Sequence, residues 1–239
     1  MAKPCVSPCT QNRSKVKVLR CKDFGVEASF RKSYAVRLIR TSFTPQDIVF
    51  STCFHYEIKR KAGEFDNCKV RLVVQGQRMK CKVADGVSDY DDAFSLVLAA
   101  SSFRTILSLA TRLDMFTEQI DISQAFLQGE LLPGDAHNRN VYISSPPGYE
   151  EDSRYIYRLL KPLYGMPLAA RAWHTTKSAF LETEGCKTVG SEKSMWRVVI
   201  DGHRILLGAH INDFVIACAH RPVLDTFTEA SFGGIRGHI

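Results

Sequence analysis

The sequence predicts an α+β fold organised around an antiparallel sheet. Three observations carry that reading. Strand-like segments come in pairs joined by tight turns, around Ala62-Gly63 and again at Asp201-Gly202. Two longer stretches, SSFRTILSLATRLDM (101–115) and GMPLAARAWHTTKSAFLETEG (165–185), read as helices. The elements also fail to alternate regularly, as a parallel βαβ sheet would require.

Composition narrows the class. The chain has 239 residues, 45% hydrophobic and 24% charged, the profile of a globular protein with one large domain or two small ones. No uninterrupted apolar run approaches the roughly 18–20 residues of a membrane helix. The first residues, MAKPCVSPCTQNRSK, lack the apolar core of a secretory signal. The expectation is an intracellular protein, cytoplasmic or nuclear, that is not secreted and does not meet a membrane; an organelle transit segment is the lesser alternative. None of the eight cysteines forms a Cys-x-x-Cys pair, so free thiols are expected rather than zinc.

The net charge of +7 is unevenly placed. Residues 1–40 carry ten Lys/Arg against Asp23 and Glu27, whereas 41–239 carry 22 basic and 23 acidic residues. Such an arm suits electrostatic contact with nucleic-acid phosphates, and a solvated leader is the plainer reading. Residues 1–53 are therefore set apart as a basic leader.

From residue 54 the elements follow in order. FHYEIKRKAGEFDNCKVRLVVQG reads as two short strands around Ala62-Gly63. Helix 101–115 takes Ser101 or Ser102 as its cap and places Phe103, Ile106, Leu107, Ala110 and Leu113 on one face. MFTEQIDISQAFLQ gives a strand ending near Asp121 and then a short helix. LLPGDAHNRN (131–140) is a loop, VYIS a short strand stopped at Pro146-Pro147-Gly148, and RYIYRLLK another closed by Pro162. The second helix has Pro167 in its first turn and Gly185 after its end. MWRVVIDGHRILLGAHINDFVIAC is a meander whose turns fall at Asp201-Gly202 and Asn212-Asp213.

Two acidic positions stand where strands give way: Asp121, and the Asn212-Asp213 pair inside LLGAHINDFVIA. Carboxylates gathered at strand ends can clamp divalent cations, and two such ions about 4 Å apart serve phosphoryl transfer. Spacing alone leaves the blander alternatives open, a helix cap at Asp121 and an ordinary turn at 212–213.

Six segments in order add to this. KVRLVVQG, DYDDAFSLVL, QIDISQAFLQGEL, VYISSPPGYE, YRLLKPLYGMPLAARAW and HINDFVIA resemble the reverse transcriptase of copia-type long-terminal-repeat retrotransposons. That family reads roughly K-A-R-L-V-x-x-G, D-Y-x-E-x-F-x-P-V, D-V-x-x-A-F-L-x-G-x-L, V-Y-M-x-x-P-P-G-F, L-x-x-x-L-Y-G-L-K-Q-A-P-R-x-W and Y-V-D-D. The resemblance covers residues 54–220 and implies a right-hand polymerase core, with fingers at about 54–100 and 130–165 and a palm at about 101–129 and 166–239. It implies template-directed addition of deoxynucleotides to a primer on an RNA or DNA template, with two Mg²⁺. Asp121 matches the first catalytic aspartate, and the Ile122 carbonyl would be a metal ligand beside it. Ala125 and Phe126 match the segment under the nucleotide sugar, where a ring excludes a 2′-hydroxyl by bulk; core packing is the alternative for Phe126. Lys69 and Arg71 match the basic fingers strand that meets the triphosphate, and alternate strand residues do share a side.

The match departs from the family in three places. His210, Ile211 and Asn212 replace Tyr, Val and the first Asp of the hairpin, so a metal carboxylate becomes a neutral amide. Asp213 cannot simply stand in, because neighbours on a strand point oppositely, a rule that a turn relaxes; Asn212 and Asp213 are expected to complete the catalytic metal site beside Asp121, but poorly. Pro167 and Leu168 replace a Lys and a nucleotide-contacting Gln. Only 26 residues follow Asp213, which leaves no room for a thumb. The expectation is a truncated or degenerate copy with little polymerase activity, or a nucleic-acid-binding protein derived from one.

Overall fold

The computed structural model describes residues 35–39, 49–79, 97–131, 141–146 and 155–233. It is mixed α and β, and its strands pair almost wholly antiparallel. The central sheet has five strands: β5 (Phe116–Asp121), β8 (Lys187–Val189), β9 (Glu192–Ile200), β10 (His203–His210) and β11 (Asp213–Cys218), in the order β5-β11-β10-β9-β8. A second sheet joins β1 (Ala35–Ile39), β7 (Tyr155–Leu159), β6 (Tyr142–Ile143) and β2 (Val49–Phe50), with only β2–β6 parallel. Strands β3 (Thr52–Lys61) and β4 (Glu64–Val74) form a separate two-stranded ribbon. β1 and β2 lie within the segment read as leader; loop 132–140, Pro147-Gly148 and residues 1–34 fall outside the described residues.

The meander folds as its turn residues dictate. Asp201 and Gly202 take φ of 51° and 78°, the left-handed pair of a two-residue hairpin turn, as do Ala62 and Gly63 at 52° and 87°. β10 is buried along five successive residues, Ile205–Ala209, because helices cover both faces of the sheet. On one face, helices α3 (Ala169–Thr183) and α4 (Arg221–Phe232) pack Leu181, Leu224 and Phe232 against Trp196, Leu207 and Ile216. On the other, helix α1 (Ala100–Arg112) sets Ile106 and Ala110 on Met195, Leu206 and Ala217. A third core joins Val74 at the ribbon's root to Ile143, Tyr157, Leu163 and Met166.

Three local expectations are corrected. Neither Ser101 nor Ser102 caps α1: Ala99 is the N-cap, and Ser102 Oγ instead donates to Glu192 Oε2 at 2.8 Å. Of the face expected on α1 only Ile106 and Ala110 are buried; Phe103, Leu107 and Leu113 stay partly exposed, because the sheet meets the helix along a narrower stripe. Pro167 precedes α3 rather than lying in its first turn, since the chain first makes the 163–166 turn closed by Met166 N–H to the Leu163 carbonyl.

Candidate active site

β5 and β11 run antiparallel with Asp121 directly opposite Asp213. Directly opposed residues share a sheet face, so both carboxylates stand on the α1 side. Between β10 and β11 the turn is Ile211-Asn212, one residue earlier than expected, because His210 pairs with Asp213 and draws that aspartate into the strand. Asn212 is thus a turn residue to which strand alternation does not apply, and Asp213 faces the same side as Asp121. Asn212 is tied twice to the chain where β5 ends, at Asp121 and the residue after it. Its carbonyl accepts the Ile122 N–H at 2.9 Å, and its side-chain Nδ2 donates to Asp121 Oδ1. Gln119 Nε2 lies 3.5 Å from Asp213 Oδ1.

Behind the turn, α3 supplies two donors that the sequence reading missed. Trp173 Nε1 donates to the Ile211 carbonyl at 2.7 Å, and Lys177 Nζ lies 3.5 Å from the same oxygen. The available signal was their i, i+4 spacing, which puts both on one helix face. Lys177 is only 2% exposed, and burial pushes its ammonium down to about 8. His174 is held below the usual imidazole range by burial and then by the charge of Lys177.

The remaining predicted residues spread outward from this centre. Ile122 is fully buried, and its N–H is the group observed in use. Ala125 is buried at the start of helix α2 (Ala125–Gln128). Phe126 is partly buried against both the central core and the ribbon-root core, so packing accounts for its ring. Leu168 is the N-cap of α3 and packs against the ribbon-root core, an apolar environment.

Lys69 and Arg71 sit two apart on β4 and share a face, with Glu57 opposite Lys69. Arg71 Nη1 pairs with Glu57 Oε2 at 2.8 Å, and that hydrogen bond holds the Glu57 carboxyl below its ordinary range. The Arg71 guanidinium also lies 5.9 Å from the Tyr164 ring centre, and Tyr164 meets Phe126 edge-on at 5.6 Å. This chain of contacts connects the ribbon to α2, one short turn from Asp121. Lys69 stands farther out on the ribbon.

Beside Asp213 lies a cleft of about 360 Å³, lined by Phe103, Leu107, Gln119, His210 and Val215 among others. It accounts for the partial exposure of Phe103 and Leu107. The donor set does not fit a two-ion centre. Among the described residues no three His, Cys, Asp or Glu side chains converge on one point, and the Asn212 amide presents its N–H, not its oxygen, to Asp121.

No helix among the described residues is long and apolar enough to cross a membrane. Residues 44–231 match the family model of the reverse transcriptase (RNA-dependent DNA polymerase). The retrovirus-related Pol polyprotein from transposon TNT 1-94 of Nicotiana tabacum is 32% identical over 62% of this chain and 10% of its own length. That from transposon RE2 of Arabidopsis thaliana is 31% identical over 64% and 10%. The chain thus spans about a tenth of either polyprotein. A solved telomerase chain from Candida albicans covers 87% of this chain and 43% of its own, at 10% identity and a TM-score of 0.34, too loose to carry an argument. With nearly four-fifths of its length matched by the family model, this chain belongs to the reverse transcriptase family, in the branch carried by copia-type retrotransposon Pol polyproteins.

Proposed function

We propose that this chain is a fingers–palm core that holds an RNA or DNA template-primer and a deoxynucleotide in the manner of its family, and that its own chemistry is impaired at Asn212. The observation that carries the reading is the β5–β11 register. Asp121 stands against Asp213 and the intervening turn, yet an amide N–H engages the carboxylate that a cation would need. Reverse transcriptases of the family use Mg²⁺. Here two carboxylates and an amide face a task for which three carboxylates would supply the charge.

In this reading the ribbon supplies the cations for a triphosphate. Lys69 is open to it, and Arg71 must first release Glu57, an exposed pair whose opening costs little. Phe126, braced by Tyr164, selects against a ribose 2′-hydroxyl by bulk while it also packs. Leu168 offers a nucleotide no hydrogen bond, and removing one preorganised polar contact costs about 10²–10³ in rate. Binding is thereby expected to outlast catalysis.

Binding has its own test. Eight of the ten basic residues of the arm precede β1, so deleting residues 1–34 spares the strand that pairs with β7. Affinity for a template-primer is expected to fall steeply with salt, and the deletion is expected to flatten that slope by several units, about 0.9 per lost duplex phosphate contact. An unchanged slope would assign binding to the ribbon alone; no salt-sensitive binding by either form would end the nucleic-acid reading.

A further inference from the structure

We propose that Lys177 is a positioning residue: with Trp173 it holds the Ile211 carbonyl from behind the central sheet and so aims Asn212 at Asp121. The inference deepens the reading of this hairpin as a polymerase centre and takes its functional meaning from it. Its test, however, reads the hairpin and not polymerisation, so the two can fail separately.

Three observations converge. Ile211 sits at φ 57°, a left-handed conformation that a β-branched residue adopts only when its surroundings impose it. Two donors one helical turn apart, Trp173 and Lys177, reach its carbonyl, which has two lone pairs to offer. The Lys177 ammonium lies 5.8 Å from the Trp196 ring centre and 5.9 Å from that of Phe214, within cation–π range of both.

The surroundings of Lys177 are otherwise apolar. β9 presents Trp196, β11 presents Phe214, and the turn presents Ile211; His174, one turn earlier on α3, is the nearby titratable group. Among the described residues no carboxylate pairs with the ammonium. A side chain wanted only for packing would serve better as Met or Leu, because a buried charge without a counter-ion destabilises the fold. Global cost and local benefit should therefore separate when the charge is removed.

Lys177→Met is expected to raise the melting temperature and, at matched pH, to make the Ile122 amide exchange about tenfold faster, while Leu207 at the sheet centre exchanges no faster. The Ile122 amide reports the turn because it donates to the Asn212 carbonyl. Lys177→Arg is expected to restore Ile122 protection. A residue with a merely structural role would move both amides together with the melting temperature.

Should the Met variant not fold, the wild type still decides. The chain has two tryptophans, so the Trp173 indole resonance is readily assigned. It is expected to shift as pH rises through about 8, where the ammonium becomes a neutral amine, a weaker donor, and Trp173 is left as the stronger of the two. An indole signal flat from about pH 7 to about 10, or an Ile122 amide as protected in Lys177→Met as in wild type, would overturn the proposal.

Discussion

Asn212→Asp is expected to turn a protein indifferent to Mg²⁺ into one whose stability follows the Mg²⁺ concentration. In the wild type the Asn212 amide satisfies Asp121 Oδ1. A carboxylate at that place would set two negative oxygens in contact, and one carboxyl would have to take up a proton or move away. With chelator present, the loss of a satisfied hydrogen bond at a partly buried carboxylate should cost about 1–3 kcal/mol. With Mg²⁺ at a hundred times its dissociation constant, mass action returns about 2.7 kcal/mol. Thermal unfolding of both forms, in chelator and in excess Mg²⁺, reads this directly. If the variant melted at the same temperature in both, the turn would not be a metal position at all.

The largest loss of stability is expected from Gly165→Ala, in the LYGMP segment that abuts the ribbon. Gly165 has φ of 84°, and a Cβ there would lie 2.2 Å from the Val74 carbonyl oxygen and 2.6 Å from Val73 Cγ1. Gly76 faces it from the other side, where a Cβ would meet the Gly165 carbonyl oxygen at 2.0 Å. The two carbonyl contacts are with backbone and cannot rotate away. Across the same junction the Val74 N–H donates to the Tyr164 carbonyl at 2.8 Å. The left-handed conformation costs an alanine about 1–2 kcal/mol and the overpacking about 1–3 more, so a loss of about 2–5 kcal/mol is expected in urea denaturation. Gly190→Ala is the control: its φ is 57°, but nothing lies within 4 Å of its Cβ position, so only the conformational part applies. Equal losses in the two variants would show that the ribbon is not seated through this glycine pair. The same seat sets Arg71 over Tyr164 and Tyr164 against Phe126.

Much of this was legible in the sequence, for identifiable reasons. Asp201-Gly202 is a strong local signal, two residues that accept left-handed φ, and Ala62-Gly63 carries half of one in its glycine; both turns form where they are expected. The turn at 211–212 was misplaced by one residue because its first residue, Ile211, is a poor left-handed former. Its conformation is imposed by Trp173 and Lys177 from α3, thirty-odd residues away, and no local pattern shows that. Lys177 itself reads as a surface lysine on an amphipathic helix; only the packing of α3 on Trp196 and Phe214 reveals it as buried. Phe103 and Leu107 show the reverse error, since helical periodicity marks a face but not how much of it the sheet will cover. Lys69 and Arg71 were legible as a basic strand face, whereas the Glu57 partner that occupies Arg71 needed the ribbon's register.

In the proposed reading the polymerase geometry persists while Asn212 disables the metal site. Single-nucleotide incorporation into a template-primer, at high protein and Mg²⁺ concentration, separates this from an intact enzyme. Wild type, Asn212→Asp, Leu168→Gln and the double variant are compared, each with and without Asp121→Ala. The wild type and Leu168→Gln are expected to give no detectable product, and weak product is expected only where Asn212→Asp is present, lost again with Asp121→Ala. Clear incorporation by the wild type that Asp121→Ala abolishes would contradict it, because Asn212 and Asp213 would then suffice to hold the ions.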